Sequence, residues 1–530
     1  MSEATSSEDA GPRTREEIRQ AVWERLRPFA RPDTRFLYDF EEFIPDFEGS
    51  ERLWGRLTQL PVFGGDGPVF VTPDNGLQAV RRSLLAAGRP MLQTIAVAMG
   101  FHFFPPGSVA AADFTLASTL DGAQMLAEAF DLDAVRALGR LDYVVTGACA
   151  ADPVSGVRFG LGKGHGFFDT EWAILSELGL VDEATPVVIC VHDLQVVDTG
   201  LEPLLHDTAG DWILTPRRTI HVRNRHRNPV GVDWDLVDSA RLAEIRPLRL
   251  LKVAAFGGAN DQEQTTDTSG GAGSPETRGT EAGDVQALVR EKVWGALRLV
   301  ARPDSRFHWD FGSFIADFDG SEVCAQRLRE LRSWQESEML FVTPDNSTEA
   351  VRVAAIEDRK PFMMTTYGIR RGFLYLDPEL VSPGDARYAA TLDGMDTLAR
   401  PVSLGEVCAL GKVGLLVTGG SAVNLRGLRI GKGHGYFDLE WALLSEVGAV
   451  SDDSEVVDVV HDCQVVDVPI GAADHDVRVD LIVTPTRTIR IDGAVHPLGR
   501  VRWELVAGTE FELIPPVMEL AQRRQGGEHQ

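Results

Sequence analysis

Apolar residues in this chain fall into two kinds of run. Short continuous runs ending in turn residues read as strands buried on both faces: PVFVTPDN, LDYVVTG, PVVICVHD and DWILTP, then MLFVTPDN, VGLLVTG, EVVDVVHD and DLIVTP. Between them lie segments with helical spacing. Ile18, Val22 and Leu26 recur at i, i+4 and i+8, as do Val289, Val293 and Leu297. Continuous apolar strands alternating with helices predict an α/β fold, an open and mostly parallel sheet flanked by helices. In such sheets ligands bind at the carboxyl ends of the strands, beside the loops that enter helices.

The pattern occurs twice. ARPDTRF begins at Ala30 and ARPDSRF at Ala301, a displacement of 271 residues, and FVTPDN returns from Phe70 at Phe341 with the same displacement. GLGKGHGFFDTEWAILSELG (160–179) returns as RIGKGHGYFDLEWALLSEVG (429–448), and VHDLQVVD (191–198) as VHDCQVVD (460–467), both displaced by 269. A displacement this long and this constant is a domain duplication rather than a short solenoid period. Residues 256–283, rich in Gly, Ser, Thr, Asp and Glu, read as a flexible linker between a first copy (1–255) and a second (284–530). Duplication also admits an intramolecular pseudo-dimer of the two copies.

Composition narrows the function. Hydrophobic residues make up 44% of the 530, enough for packed cores. No apolar run approaches the ~20 residues that span a bilayer, and the first residues lack the apolar stretch of a signal peptide, so no membrane partner and a cytoplasmic location are expected. A net charge of -27 argues against nucleic acid as a partner. The five cysteines have no CxxC spacing and read as reduced thiols.

The sharpest local signal is Gly162-Lys163-Gly164-His165-Gly166-Phe167-Phe168-Asp169, repeated as Gly431-Lys432-Gly433-His434-Gly435-Tyr436-Phe437-Asp438. Alternating glycines let another group approach the backbone. The helix that follows directs its N–H groups and dipole at the bend, which suits an anion such as phosphate. Lys163 and Lys432 add charge in a lysine-poor chain. The same glycines also suit a plain strand-to-helix turn, and Asp169 and Asp438 are good helix caps. Each copy also has two His-Asp pairs, His192-Asp193 and His206-Asp207, then His461-Asp462 and His475-Asp476. Carboxylates there could hold Mg2+; turn-forming Asp and a hydrogen-bonded His are the plainer reading.

Taken as an ordered set, GKGHGYFD, VHDCQVVD and HDVRVDLIVTP resemble the 5-formyltetrahydrofolate cyclo-ligase (methenyltetrahydrofolate synthetase) family, and within it the methenyltetrahydrofolate synthetase domain-containing branch. The resemblance covers nearly all of each copy outside the linker. It implies a cyclo-ligase-like sheet of the sugar-phosphate isomerase/CoA-transferase-like class, and a ligase that uses ATP and Mg2+ to convert 5-formyltetrahydrofolate to 5,10-methenyltetrahydrofolate. In that reaction the formyl oxygen attacks the γ-phosphate, N10 captures the activated carbon and phosphate leaves. By the resemblance, Lys432 and Lys163 are the catalytic cations. Gly431, Gly433, His434 and Gly435, and Gly162, Gly164, His165 and Gly166, cradle ATP phosphates with Arg290 and Arg19. Asp476, Asp207, Asp438 and Asp169 are the metal candidates, and Tyr436 and Phe167 meet the folate-type substrate. The alternative is a non-catalytic nucleotide- or folate-binding regulatory module that kept the fold. Thr170 and Leu439 stand where the family usually has Arg.

Overall fold

The computed structural model describes residues 14–95, 97–161, 166–198, 200, 202–256, 281–382, 384–468, 473–494, 496 and 498–527. The chain divides into two compact units, Met1–Thr266 and Asp267–Gln530. Most of the expected linker lies outside the described residues; a helix begins at Glu281, inside its last turn.

Each unit is built on one eight-stranded sheet. In the first the strand order is Thr219–His221, Trp212–Leu214, Val187–Cys190, Val144–Thr146, Val69–Val71, Met91–Thr94, Phe101–Phe104 and Glu128–Phe130. The central neighbours run parallel; antiparallel strands close both edges. The second unit repeats the order with Thr488–Arg490, Leu481–Val483, Glu455–Val459, Leu415–Gly419, Leu340–Val342, Phe362–Thr365, Phe373–Leu376 and Arg400–Val402. The eight runs picked out by apolar continuity are the central strands of the two sheets. Their continuity has a direct cause. Val69 and Val71 pack into a core on one face while Phe70 packs into the core on the other, and Leu340, Val342 and Phe341 do the same. A strand covered on both faces has no polar side to show.

The first helix, Arg15–Leu26, buries Ile18, Val22 and Leu26, the residues whose spacing announced it. Its start is fixed by a capping box: Thr14 Oγ1 accepts from Glu17 N (3.2 Å) and Glu17 Oε2 accepts from Thr14 N (2.7 Å). All five cysteines are free thiols. Among the described residues no helix is long and apolar enough to cross a membrane.

Candidate functional site

At the carboxyl ends of the central strands, the TPDN turn ties neighbouring strands together. Asp74 accepts from Thr72 Oγ1 (2.5 Å) and from Gly147 N on the adjacent strand's end (2.7 Å). Asp345 does the same with Thr343 Oγ1 (2.5 Å) and Gly419 N (3.1 Å). A buried arginine sits behind each turn, Arg81 and Arg352, donating to its carbonyls.

In the second copy the chain leaves the short strand Arg429–Ile430, makes the glycine bend, and enters the helix Tyr436–Glu446. The bend needs its glycines: φ is +108° at Gly433 and +73° at Gly435, where an L side chain is strained. Gly433, His434 and Gly435 are exposed, so the bend is open to solvent rather than sealed in the core. Lys432 Nζ donates to Ser313 O (3.2 Å) and lies 4.4 Å from the Tyr367 ring centre. Arg290, from the first helix of this copy, donates to Gly431 O (3.4 Å). Two cations and a helix N-terminus therefore meet at one accessible corner. Burial, then the Lys432 charge, with a smaller push from Arg290 against the pull of Glu510, hold His434 below its usual pKa. Tyr436 donates to Glu510 Oε1 (3.1 Å) and packs edge-on to Phe511; burial and then Glu510 raise its hydroxyl to about 12.

In the first copy, Gly162, Lys163, Gly164 and His165 lie outside the described residues. Gly166 enters its helix from an extended conformation, and its N–H donates to Asp169 Oδ2 (2.9 Å). Phe167 is exposed. Arg19 reaches Gly160 O (3.4 Å) and pairs with Glu16 (2.7 Å).

The four candidate metal carboxylates differ between copies. Asp169 is buried, and its Oδ1 accepts from Thr208 N (3.1 Å) and Thr208 Oγ1 (2.6 Å), so both its oxygens are engaged. Asp207 is also buried; it receives both nitrogens of Arg15 (2.7 and 2.6 Å) and Leu204 N (2.6 Å). In the second copy the residue equivalent to Arg15 is Gln286. Asp476 accepts from Ala473 N (2.7 Å) and has His475 at 3.9 Å, and Asp438 accepts from Val477 N (2.9 Å). Burial raises the pKa of Asp438 first; Asp476 raises it further, while Arg429, the Val477 amide and His475 lower it. In the second copy Asp438 and Asp476 repel one another, and among the described residues no arginine forms an ion pair with either, whereas Arg15 pairs with Asp207 in the first. The other His-Asp pairs sit on 3-10 turns, not on strands. His192 and His461 cap Asp193–Gln195 and Asp462–Gln464, and Asp193 and Asp462 accept from Thr215 and Thr484, both at 2.8 Å.

Sequence reasoning did not single out the buried charges beneath the bend. Glu171 and Glu440, on the helices that follow it, are completely buried against Thr94 and Thr365, and burial raises each to about 8. Arg158 and Arg429 donate to Gly147 O (3.0 Å) and Gly419 O (3.2 Å) and lie over the Phe168 and Phe437 rings. The second copy adds Asp458, where the first has Ile189. Burial raises it to about 7, against the pull of Arg429, and no described group donates to either of its oxygens. The available signal was the exact recurrence of Thr-Pro-Asp-Asn and of Glu-Trp in both copies.

Fold and site together define a duplicated α/β domain in whose second copy Lys432 and Arg290 lie at a glycine bend that opens a helix. The chain belongs to the 5-formyltetrahydrofolate cyclo-ligase family, whose family model matches it twice, over residues 12–216 and 284–485. It is similar to the human methenyltetrahydrofolate synthase domain-containing protein, 34% identical over 254 residues that make up 46% of this chain and 65% of that protein. It is also similar to the Bos taurus protein of the same name, 36% identical over 46% of this chain and 64% of the relative. The match thus spans just under two thirds of these relatives. An NMR structure of Aquifex aeolicus 5,10-methenyltetrahydrofolate synthetase aligns with 42% of this chain and 99% of its own, at 16% identity and a TM-score of 0.24.

Proposed function

We propose that this protein is an MgATP-dependent 5-formyltetrahydrofolate cyclo-ligase and that its second copy carries the activity. The observation that carries this reading is the open bend at 431–435, where Lys432 and Arg290 converge on a helix N-terminus. Lys432 and Arg290 neutralise the nucleotide's phosphates while the bend's main chain approaches them. Gly431, Gly433, His434 and Gly435 form the cradle, and Tyr436, braced by Glu510, meets the folate-type substrate. Asp438 and Asp476 suit a hydrated Mg2+ shared with phosphate oxygens, because their mutual repulsion is relieved by a cation.

A specific observation favours the non-catalytic reading for the first copy. Arg15 already neutralises Asp207, and Asp169 is spent on Gly166 and Thr208. That half fits a nucleotide- or folate-binding module, with Lys163 and Arg19 as its cations.

The test is turnover of 5-formyltetrahydrofolate with MgATP, followed by methenyl absorbance and ADP release. Lys432→Ala is expected to lower kcat/KM by about 10²-fold, and Lys163→Ala to leave turnover largely intact. ATP binding without turnover would replace the enzymatic reading with the binding module.

A further inference from the structure

At the opposite, amino-terminal end of the parallel strands, the two copies differ in the charged side chains that line one notch, among them Arg225 of the first copy and Ala494 of the second. In the first copy the Arg225 guanidinium fills an acidic notch. Its Nε lies 2.8 Å from Asp211 Oδ1, and its Nη2 donates to Glu183 Oε1 (2.8 Å) and Glu183 O (3.0 Å). Its Nη1 donates to His226 O (3.1 Å). The second copy keeps the main-chain part of this frame. Asp211 O and Asp480 O accept from Val222 N (2.9 Å) and Ile491 N (2.8 Å), and their Oδ2 atoms accept from Val187 N and Val456 N, both at 2.8 Å. Glu183 becomes Asp452, in a turn closed the same way by Thr185 and by Ser454. Arg225 becomes Ala494, six residues after Thr488 as Arg225 is six after Thr219.

What remains is a cavity of about 370 Å³ lined by Asp452, Asp453, Glu455, Asp480, Ala494 and His496. His496 is nearly buried and its Nε2 approaches Asp480 Oδ2 (3.1 Å), while Arg490 pairs with Glu455 (3.1 Å) from a side chain that is mostly exposed. No described residue donates to Asp480 Oδ1, the oxygen equivalent to the one that faces Arg225 in the first copy. Among the described residues no metal-binding cluster exists here.

We propose that this notch binds a guanidinium group supplied from outside it, either an arginine side chain of a peptide or a small guanidino compound. The first copy shows that an aspartate and a glutamate in this place hold a guanidinium; the second keeps an acid at both positions, Asp480 and Asp452, adds Asp453 and Glu455, and has Ala494 in place of the arginine. Separated acceptors suit a planar fork of donors better than the point charge of an ammonium. The site lies at the other edge of the sheet from the glycine bend, so this inference does not rest on the proposed reaction.

Calorimetric titration of the full chain with N-acetyl-arginine amide, against N-acetyl-lysine amide of equal charge, tests it. Saturable binding is expected in the millimolar range, with the lysine compound weaker by about tenfold. Ala494→Arg is expected to abolish binding by filling the notch. Asp452→Asn, at an exposed position that spares the fold, is expected to weaken binding severalfold. A short arginine-containing peptide that binds more tightly than the amide identifies a polypeptide source; equal affinity identifies a small molecule. Absence of saturable binding, equal binding of both compounds, or binding that survives both substitutions would overturn the proposal.

Discussion

Buried carboxyls carry the clearest single-residue consequences. The Glu440 carboxyl, ordinarily near 4.5, is raised to about 8 because burial penalises its charged form. Below 4.5 the native and unfolded states both hold the proton; between there and about 8 only the native state does. Its contribution to stability is therefore full at low pH and is lost as pH rises through that window, at about 1.4 kcal/mol per pH unit. Glu440→Gln should flatten this loss, with the variant gaining on the parent between pH 5 and pH 8 in urea unfolding monitored by fluorescence; parallel pH profiles would show that Glu440 is ionised in the fold. Asp458 acts in the same direction, from 3.8 to about 7. Asp458→Asn should accordingly stabilise the second copy at pH 8 more than at pH 5.

Equivalent elements in the two copies reach the same course by different physics, and substitutions can tell them apart. The helix Tyr436–Glu446 is entered through Gly435 at φ +73°, where an added Cβ has nothing within 4 Å. Gly435→Ala therefore costs backbone strain alone, about 1 kcal/mol, read as a lower denaturation midpoint with normal circular dichroism. Gly166 instead has ordinary φ, but a Cβ there would stand 2.8 Å from Asp169 Oδ2 and disturb the cap. The first helix supplies a second contrast. Arg15→Gln, the residue found at the equivalent position, should destabilise the first copy by about 2 kcal/mol, below the full cost of breaking a buried pair because Arg15 is partly exposed.

For the whole molecule, each sheet with the cores on its two faces belongs to one unit. A calorimetric scan of the full chain is expected to depart from a single two-state transition. Arg15→Gln should lower one component while Asp458→Asn raises the other at pH 8; one transition moved by both would show that the units unfold together. Much of this architecture was legible in advance. The central strands were visible because burial on both faces leaves an uninterrupted apolar run, as in Val69-Phe70-Val71. The edge strands were not: Thr219–His221 and Thr488–Arg490 are half-exposed and mixed in composition, like any polar loop. At the site, the glycine bend announced itself through its spacing. Glu171 and Glu440 did not, because an acid in the early turns of a helix ordinarily complements the dipole in solvent.

The linear chain by itself determined the duplication, the buried strands, the glycine bend and the family, all of which are written in local periodicity or in recurrence at fixed displacement. Only the tertiary structure decided which charges are paired. Arg15 meets Asp207 across 192 residues, and Glu171 meets Thr94 across 77. Such partners are chosen by the packing of the sheet and its helices, and no spacing along the chain encodes them. That is why two halves with nearly the same motifs differ where it matters, with Asp207 neutralised and Asp476 without an arginine partner among the described residues, and with one acidic notch filled by Arg225 and the other open at Ala494.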